Sequence, residues 1–277
     1  MKKPTMILWI AIVLFLTAAA LIGFRLYQHE KSQNEDLLAL QSRQSAVLAT
    51  AEELSARLTL LELKLDYAEA SYIYFPLGNS ITVHAPNEVW WNEVGMAASD
   101  ADHDYVHLVA SWLSTSHGKV ACHPYYYYAW EMAKDRASKL SLLDPYLDPG
   151  LDLVTIQLGE NAEDLTTFEQ DLEDLIRYVQ AKAPEAKILV IDDFWPNEER
   201  SRMKQNAAEK TGAEYISLKD IQGRTEAEAG TGAVVYDAAG NPHTIENTDV
   251  AAHPGDRGMK VIADMIIEVL RSENRSF

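Results

Sequence analysis

The chain has 277 residues, of which 47% are hydrophobic and 24% are charged, a composition typical of a globular protein with a packed core. Its formal net charge of −18 would repel phosphate backbones, so the composition argues against nucleic-acid binding. Cys122 is the only cysteine, which excludes an intrachain disulfide.

The first predicted element is a membrane-spanning helix at residues 6–24, which carry no charge. At about 1.5 Å rise per residue, such a helix covers most of a hydrocarbon core about 30 Å thick. The competing interpretation is a cleaved signal peptide, because residues 18–20 are small alanines. The apolar run continues beyond them, which favours an uncleaved anchor. Lys2 and Lys3 favour a cytoplasmic N-terminus, and we assign residues 1–25 to that terminus and the anchor.

Residues 26–68 form a predicted helical stalk. Ten positions from residue 37 to residue 68 follow one another in alternating steps of three and four, and nine of the ten are apolar. This spacing is typical of a coiled coil, with Gln44 as a polar position that could set the register. The alternative is one amphipathic helix that folds back on the following domain. The coiled-coil interpretation predicts a homo-oligomer held together by the stalk.

Residues 69–277 form the predicted globular domain. Short apolar runs predict strands, and amphipathic segments between them predict helices. The strands are expected at residues 72–77, 153–158, 187–191 and 214–218, and the main helices at residues 162–183, 200–211 and 254–271. This alternation predicts an α/β fold with a mostly parallel sheet that is covered on both faces. Functional sites in such folds gather at the carboxyl ends of the strands.

Three loops after predicted strands contain residues with chemistry. Ser80 follows Gly78 in a turn after the first strand, where a serine hydroxyl would be exposed for nucleophilic attack. Asn161 follows the second strand, and its amide could donate to a developing oxyanion or cap a helix. His253 precedes Pro254 and the last helix, in a loop that could face the same site. Each motif alone is common in turns, and their order along the chain makes them informative.

Together the motifs resemble the SGNH (GDSL-type) hydrolase family. Its four blocks would be Ser80 in GNSIT, Gly95 in WNEVGMAAS, Asn161 in LGEN and His253 in AAHPGDRGM, within roughly residues 70–272. The resemblance implies a three-layer α/β/α sandwich, with Ser80 as nucleophile and His253 as its base. It also implies an oxyanion hole made by the backbone amides of Ser80 and Gly95 and the side-chain amide of Asn161. It implies no cofactor and no metal.

The chain departs from the family pattern at two positions. Asn79 stands where an aspartate usually precedes the serine, and Val250 stands where an acid usually supports the histidine. Asp249 is one residue away, and in an extended segment its carboxylate would point away from the imidazole. Three explanations remain open: a shifted loop brings Asp249 to His253, a backbone carbonyl orients the imidazole, or activity is impaired. A serine–histidine dyad is chemically sufficient.

The combined interpretation is a membrane-anchored, extracytoplasmic serine esterase whose substrate is a small acyl ester or an acylated glycan. The removal of O-acetyl or other short acyl groups from cell-surface carbohydrate is the expected reaction. Lysophospholipase or thioesterase activity is the enzymatic alternative, and a non-catalytic carbohydrate-binding surface module is the alternative from another class. The aromatic residues 125–128 are consistent either with a sugar-stacking wall or with core packing.

Overall fold

The computed structural model describes the backbone of residues 3–274, which divides into two units between Leu61 and Glu62. The first unit is helical, because helix α1 runs over Lys3–Glu69. Most of its described apolar side chains, including Leu40, Leu54 and Leu58, are exposed. Coiled-coil pairing of this segment stays a prediction.

The predicted anchor at residues 6–24 falls on a part of α1 whose side chains mostly lie outside those that the structure describes. Among the described residues, no helix meets the length and hydropathy needed to span a bilayer. The anchor therefore stays a prediction.

The second unit begins at Glu62, earlier than the boundary predicted at residue 69. The last two turns of α1 pack on the domain, because Leu63 and Tyr67 are buried and the Tyr67 hydroxyl donates to the carbonyl of Tyr146 at 3.3 Å. The domain continues with strands and helices in alternation. The strands are β1 (Tyr72–Gly78), β2 (Val120–Cys122), β3 (Tyr125–Tyr126), β4 (Leu153–Gln157), β5 (Lys187–Ile191), β6 (Glu214–Ile216), β7 (Val234–Tyr236) and β8 (Pro242–Thr244). The helices are α2 (Tyr105–His117), α3 (Tyr128–Glu131), α4 (Phe168–Lys182), α5 (Glu198–Thr211), α6 (Thr248–Ala251) and α7 (Asp256–Asn274), with 3₁₀ turns at Ala137–Leu143 and Thr225–Ala227.

The main sheet is parallel and has the strand order β2-β1-β4-β5-β6, with β3 also paired to β1. Helices α2 and α7 pack on one face, and α4 and α5 pack on the other. Within β1, Tyr74 packs in the hydrophobic core on the α2 and α7 face of the sheet. Ile73 and Phe75 pack in the core on the α4 and α5 face. Both faces of the strand are buried, which explains why it reads as a continuous apolar run. The predicted α/β sandwich with a mostly parallel sheet is confirmed.

Candidate active site

Ser80 lies directly after the carboxyl end of β1, in a tight turn. A Cβ atom at Gly78 would lie 1.9 Å from Oγ1 of Thr82 and 2.9 Å from the carbonyl oxygen of Gln157, so only glycine fits there. The carbonyl oxygen of Asn79 accepts from the backbone N–H of Thr82 at 3.0 Å and closes the turn. Within the described part of the chain, the backbone N–H of Ser80 has no protein acceptor. This N–H is therefore available to a ligand.

His253 lies beside Ser80 in the loop between α6 and α7. Its Nε2 lies 2.8 Å from Oγ of Ser80, and its Nδ1 lies 2.7 Å from the carbonyl oxygen of Asp249. A carbonyl oxygen only accepts hydrogen bonds, so Nδ1 carries the proton and Nε2 accepts from the Ser80 hydroxyl. The indole of Trp195 packs nearly perpendicular to the imidazole at a centroid distance of 4.9 Å. The pair has the geometry of a nucleophile and its general base.

Burial controls the protonation state of His253, whose side chain is only 9% exposed. Desolvation is the largest cause that lowers its pKa to about 4, and the neighbouring His84 lowers it further. The hydrogen bond to the Asp249 carbonyl and the charge of Asp249 both raise the pKa, but burial outweighs them. His253 is therefore neutral at pH 7 and can accept a proton.

The segment before His253 is helical, which corrects the expectation of an extended segment at Asp249. Asn247 starts α6, because its side chain accepts from the backbone N–H groups of Asp249 at 2.9 Å and Val250 at 3.0 Å. The side chain of Asp249 is exposed, and it is the backbone carbonyl of this residue that contacts the imidazole. Among the three explanations for the missing acid, the geometry favours the backbone carbonyl.

Gly95 does not present its backbone N–H to the site, which corrects its predicted role in the oxyanion hole. This N–H donates at 3.2 Å to Oδ2 of Asp104, the fully buried N-cap of α2. Two residues later, Ala97 has a φ of 73°, and no other non-glycine residue has a positive φ among those that the structure describes. Between them, the backbone N–H of Met96 donates to the carbonyl of Ser80 at 2.7 Å. The loop therefore lies against the nucleophile.

The buried backbone N–H of Ala97 has no protein acceptor in the described part of the chain. Buried N–H groups without a partner are rare in folded proteins. Ala97 thus replaces Gly95 as the candidate backbone donor of the oxyanion hole. No sequence signal identifies it, because alanine gives no indication of a left-handed backbone conformation.

Asn161 lies in the loop after β4. Its Nδ2 donates to Oε2 of the buried Glu131 at 2.7 Å, and this bond uses one of the two protons of the amide. Oε1 of the same carboxylate accepts from Nδ2 of Asn79 at 3.2 Å. Asn161 is thereby joined to the residue that precedes Ser80, and its second amide proton remains for a substrate. The sequence-based reasoning missed Glu131, which no motif marks.

The residues that the structure describes contain no group of three or more side chains placed to hold a metal ion. His103, just before α2, and His107, in its first turn, are each bonded to an aspartate. Nδ1 of His103 lies 2.6 Å from Asp100, and Nδ1 of His107 lies 2.8 Å from Asp104. Each histidine thus bonds to an aspartate three residues before it in the chain.

The aromatic residues 125–128 divide between the core and the surface. Tyr127 is fully buried and its hydroxyl donates to the carbonyl of Lys139 at 2.7 Å. Tyr126 and Tyr128 are 38% and 37% exposed, with parallel rings whose centroids lie 5.8 Å apart. Tyr126 is aligned with Gly78 in the sheet, and its ring also contacts His84 at 5.1 Å. Core packing therefore applies to Tyr127, whereas sugar stacking by Tyr126 and Tyr128 stays a prediction.

No protein-family model matches the chain, and no curated protein matches it in sequence. Solved structures do resemble it. One is a two-domain esterase active on acetylated mannans, with 19% identity, a TM-score of 0.49, and coverage of 78% of this chain and 54% of that one. A variant of an acetyl xylan esterase from Geobacillus stearothermophilus has 15% identity, a TM-score of 0.45, and coverage of 72% and 94%.

An extracellular lipase from Streptomyces rimosus has 13% identity, a TM-score of 0.43, and coverage of 71% of this chain and 99% of that one. The chain thus spans about half the length of the mannan esterase and nearly all of the lipase. The chain is an α/β protein with a serine–histidine pair at the carboxyl edge of a parallel sheet. The likeness to these esterases and this lipase is one of fold alone, and the chemistry depends on the residues described above.

Proposed function

We propose that the protein is a serine esterase that cleaves small acyl esters. The observation that carries this proposal is the 2.8 Å contact between Oγ of Ser80 and Nε2 of a neutral, buried His253. A serine hydroxyl is a weak nucleophile until a base accepts its proton, and this arrangement supplies the base.

In the proposed reaction, Oγ of Ser80 attacks the ester carbonyl carbon while Nε2 of His253 takes the hydroxyl proton. The tetrahedral oxyanion accepts hydrogen bonds from the backbone N–H groups of Ser80 and Ala97 and from the free amide proton of Asn161. Collapse of this intermediate expels the alcohol, which receives the proton from His253. Water then attacks the acyl-enzyme with His253 again as base, and the carboxylic acid is released. The carbonyl of Asp249 holds the imidazole throughout.

The substrate class that we propose is a short acyl ester on carbohydrate. It is supported by the exposed, parallel rings of Tyr126 and Tyr128. Tyr126 pairs in the sheet with Gly78, two residues before Ser80. Aromatic faces offer a broad apolar surface with a polar edge, which suits the flat, hydroxyl-rimmed face of a sugar ring. A long acyl chain would instead need an extended apolar groove.

The full-length protein, purified in detergent, provides the test. We expect hydrolysis of p-nitrophenyl acetate to exceed that of the octanoate, and loss of turnover in Ser80→Ala protein with native circular dichroism. Turnover that survives in Ser80→Ala would refute the mechanism. A preference for octanoate would favour the lysophospholipase or thioesterase alternative. Glycan binding without hydrolysis by the wild type would favour the non-catalytic surface module.

The carbohydrate part of the proposal has its own test. Tyr126→Ala should raise KM for an acetylated oligosaccharide severalfold and leave the kinetics on p-nitrophenyl acetate unchanged. Tyr236→Ala is the matched control, because Tyr236 is a similarly exposed tyrosine on the β7–β8 hairpin. Equal effects of both substitutions on the oligosaccharide would contradict the assignment.

We also propose that residues 6–24 anchor the protein in the cell membrane as a single pass, with the catalytic domain outside the cytoplasm. This is supported by the uncharged run and the lysines before it. Residues 26–61 would associate with a second copy through their heptad-spaced apolar residues. Protease digestion of intact cells tests the orientation, and light scattering with and without residues 3–61 tests the association. Equal monomeric masses would refute self-association.

A further inference from the structure

Glu131 is a buried carboxylate at the C-terminus of α3, and the mechanism above leaves it without a role. It is 1% exposed, and among the described residues no cationic side chain pairs with its carboxylate. Its four hydrogen-bond donors are all neutral N–H groups. They are the backbone N–H groups of Gly159 and of Asn161 (3.4 Å), Nδ2 of Asn161 (2.7 Å) and Nδ2 of Asn79 (3.2 Å). Both carboxylate oxygens of Glu131 therefore act as hydrogen-bond acceptors for these groups.

Two of these donors belong to different loops of the active site, which follow the neighbouring strands β1 and β4. Asn79 precedes the nucleophile, and its Oδ1 also accepts from the backbone N–H of Ile81 at 3.0 Å. Asn161 supplies the side-chain amide of the oxyanion hole. The two oxygens of Glu131 therefore join the turn that carries Ser80 to the loop that carries the oxyanion donor.

The carboxylate also determines which way the Asn161 amide faces. Because Oε2 of Glu131 only accepts, the NH₂ end of the amide must point toward it, and the second N–H is left for the substrate oxygen. If the Asn161 amide rotated by 180°, its carbonyl oxygen would face an oxygen of the Glu131 carboxylate, and two acceptors would meet. The same carbonyl oxygen would also take the place of the N–H that donates to the substrate oxyanion. The catalytic orientation of Asn161 thus depends on Glu131.

The same network explains why the chain has Asn79 where an aspartate is usual in the family that it resembles. Nδ2 of Asn79 lies 3.2 Å from Glu131 and 2.8 Å from Oε2 of Glu160. An aspartate would place a third carboxylate oxygen between these two acids, where like charges repel. The amide at position 79 and the acid at position 131 therefore form a matched pair.

We infer that Glu131 is the positioning residue that orients the Asn161 amide for the oxyanion and couples it to the Ser80 turn. This inference rests on the proposed function, since it assigns Glu131 to the same site. It predicts a specific kinetic signature for Glu131→Gln, whose carboxamide replaces one acceptor by a donor and no longer fixes the Asn161 amide.

The experiment is a double-mutant cycle on the full-length protein with p-nitrophenyl acetate. Glu131→Gln should lower kcat about 10²-fold, the loss typical of one oxyanion donor, and change KM by less than about threefold. Asn161→Ala should give a similar loss, and the double variant should be no more than about threefold slower than Asn161→Ala. Glu173→Gln is the control, because Glu173 is a buried carboxylate in α4 that pairs with Lys210.

Losses that multiply to about 10⁴-fold in the double variant would overturn the inference, as would a Glu131→Gln kcat within threefold of wild type. If Glu131→Gln does not fold, Glu131→Asp takes its place. It keeps the charge but withdraws it by one methylene, and it should show a smaller kcat loss with the same non-additivity.

A second measurement does not depend on turnover. In ¹⁵N spectra of the wild type, the side-chain amide proton of Asn161 that is bonded to Glu131 should resonate downfield, and this shift should vanish in Glu131→Gln. A wild type without esterase activity but with the shifted resonance would refute the proposed function alone. An unshifted resonance in an active wild type would refute the role of Glu131 alone.

Discussion

Asp249→Asn tests which part of Asp249 orients His253. In the structure, the carbonyl oxygen of Asp249 lies 2.7 Å from Nδ1 and the side chain is exposed. The substitution keeps the carbonyl and removes only an exposed charge. That charge is the weakest of the causes that shift the pKa of His253. Changing a buried triad aspartate to its amide lowers kcat about 10⁴-fold, whereas we expect Asp249→Asn to lower it less than about tenfold.

Asn247→Ala is the matched variant, because it acts on the carbonyl rather than on the carboxylate. Asn247 caps α6 through two hydrogen bonds, and loss of such a cap destabilises a helix by about 1 kcal/mol. A loosened α6 would let the Asp249 carbonyl move away from Nδ1. We therefore expect a larger kcat loss in Asn247→Ala than in Asp249→Asn.

The assay for both variants is kcat on p-nitrophenyl acetate at pH 7, with thermal unfolding followed by circular dichroism. A loss of more than about 10²-fold in Asp249→Asn, at an unchanged Tm, would show that the carboxylate holds the imidazole. Full activity in Asn247→Ala, despite a lower Tm, would show that α6 does not control the position of the carbonyl. Either result would refute the reasoning.

Two further predictions use the same assays. Because His253 must be neutral to act as a base and burial lowers its pKa to about 4, kcat/KM should stay level as the pH falls to about 5 and decline as it passes through about 4. A midpoint near 6.5, the ordinary histidine value, would contradict this assignment. Ala97→Gly should keep kcat within about threefold of wild type, since the backbone N–H remains, and should raise Tm slightly, since glycine adopts a φ of 73° without strain. A kcat loss above tenfold in Ala97→Gly would indicate that the methyl group itself shapes the site.

The strands that position the site were predictable because both of their faces are buried. The runs at β1, β4 and β5 are mostly apolar, and the predicted bounds agree with the structure to within one residue. The short strands β2 and β3 and the hairpin of β7 and β8 were not predicted. They have two or three residues each, and too few apolar positions to define a period.

Within the site, the residues that follow long strands were easier to find than those fixed by tertiary contacts. Ser80 and Asn161 come after β1 and β4, so the sheet itself brings their loops together. Gly95 was assigned to the oxyanion hole from its motif alone, and nothing in the sequence shows that the buried Asp104 takes up its N–H. Glu131 is distant along the chain from every residue it contacts there, so no local pattern could reveal it.

The absence of the usual acid at Val250 follows from the path of the chain, and it gives one more prediction. Val250 lies within α6, and its side chain is 2% exposed in the core that α7 covers. A carboxylate at this position would be buried among apolar side chains instead of reaching Nδ1 of His253, which the Asp249 carbonyl already occupies. Val250→Asp would restore the family pattern in sequence, yet it should destabilise the fold by about 3 kcal/mol or more and leave kcat no higher. Val250→Ala, which removes apolar contact without adding charge, should unfold at a higher temperature than Val250→Asp. A Val250→Asp protein with the wild-type Tm and a raised kcat would show that the loop can rearrange to form a full triad.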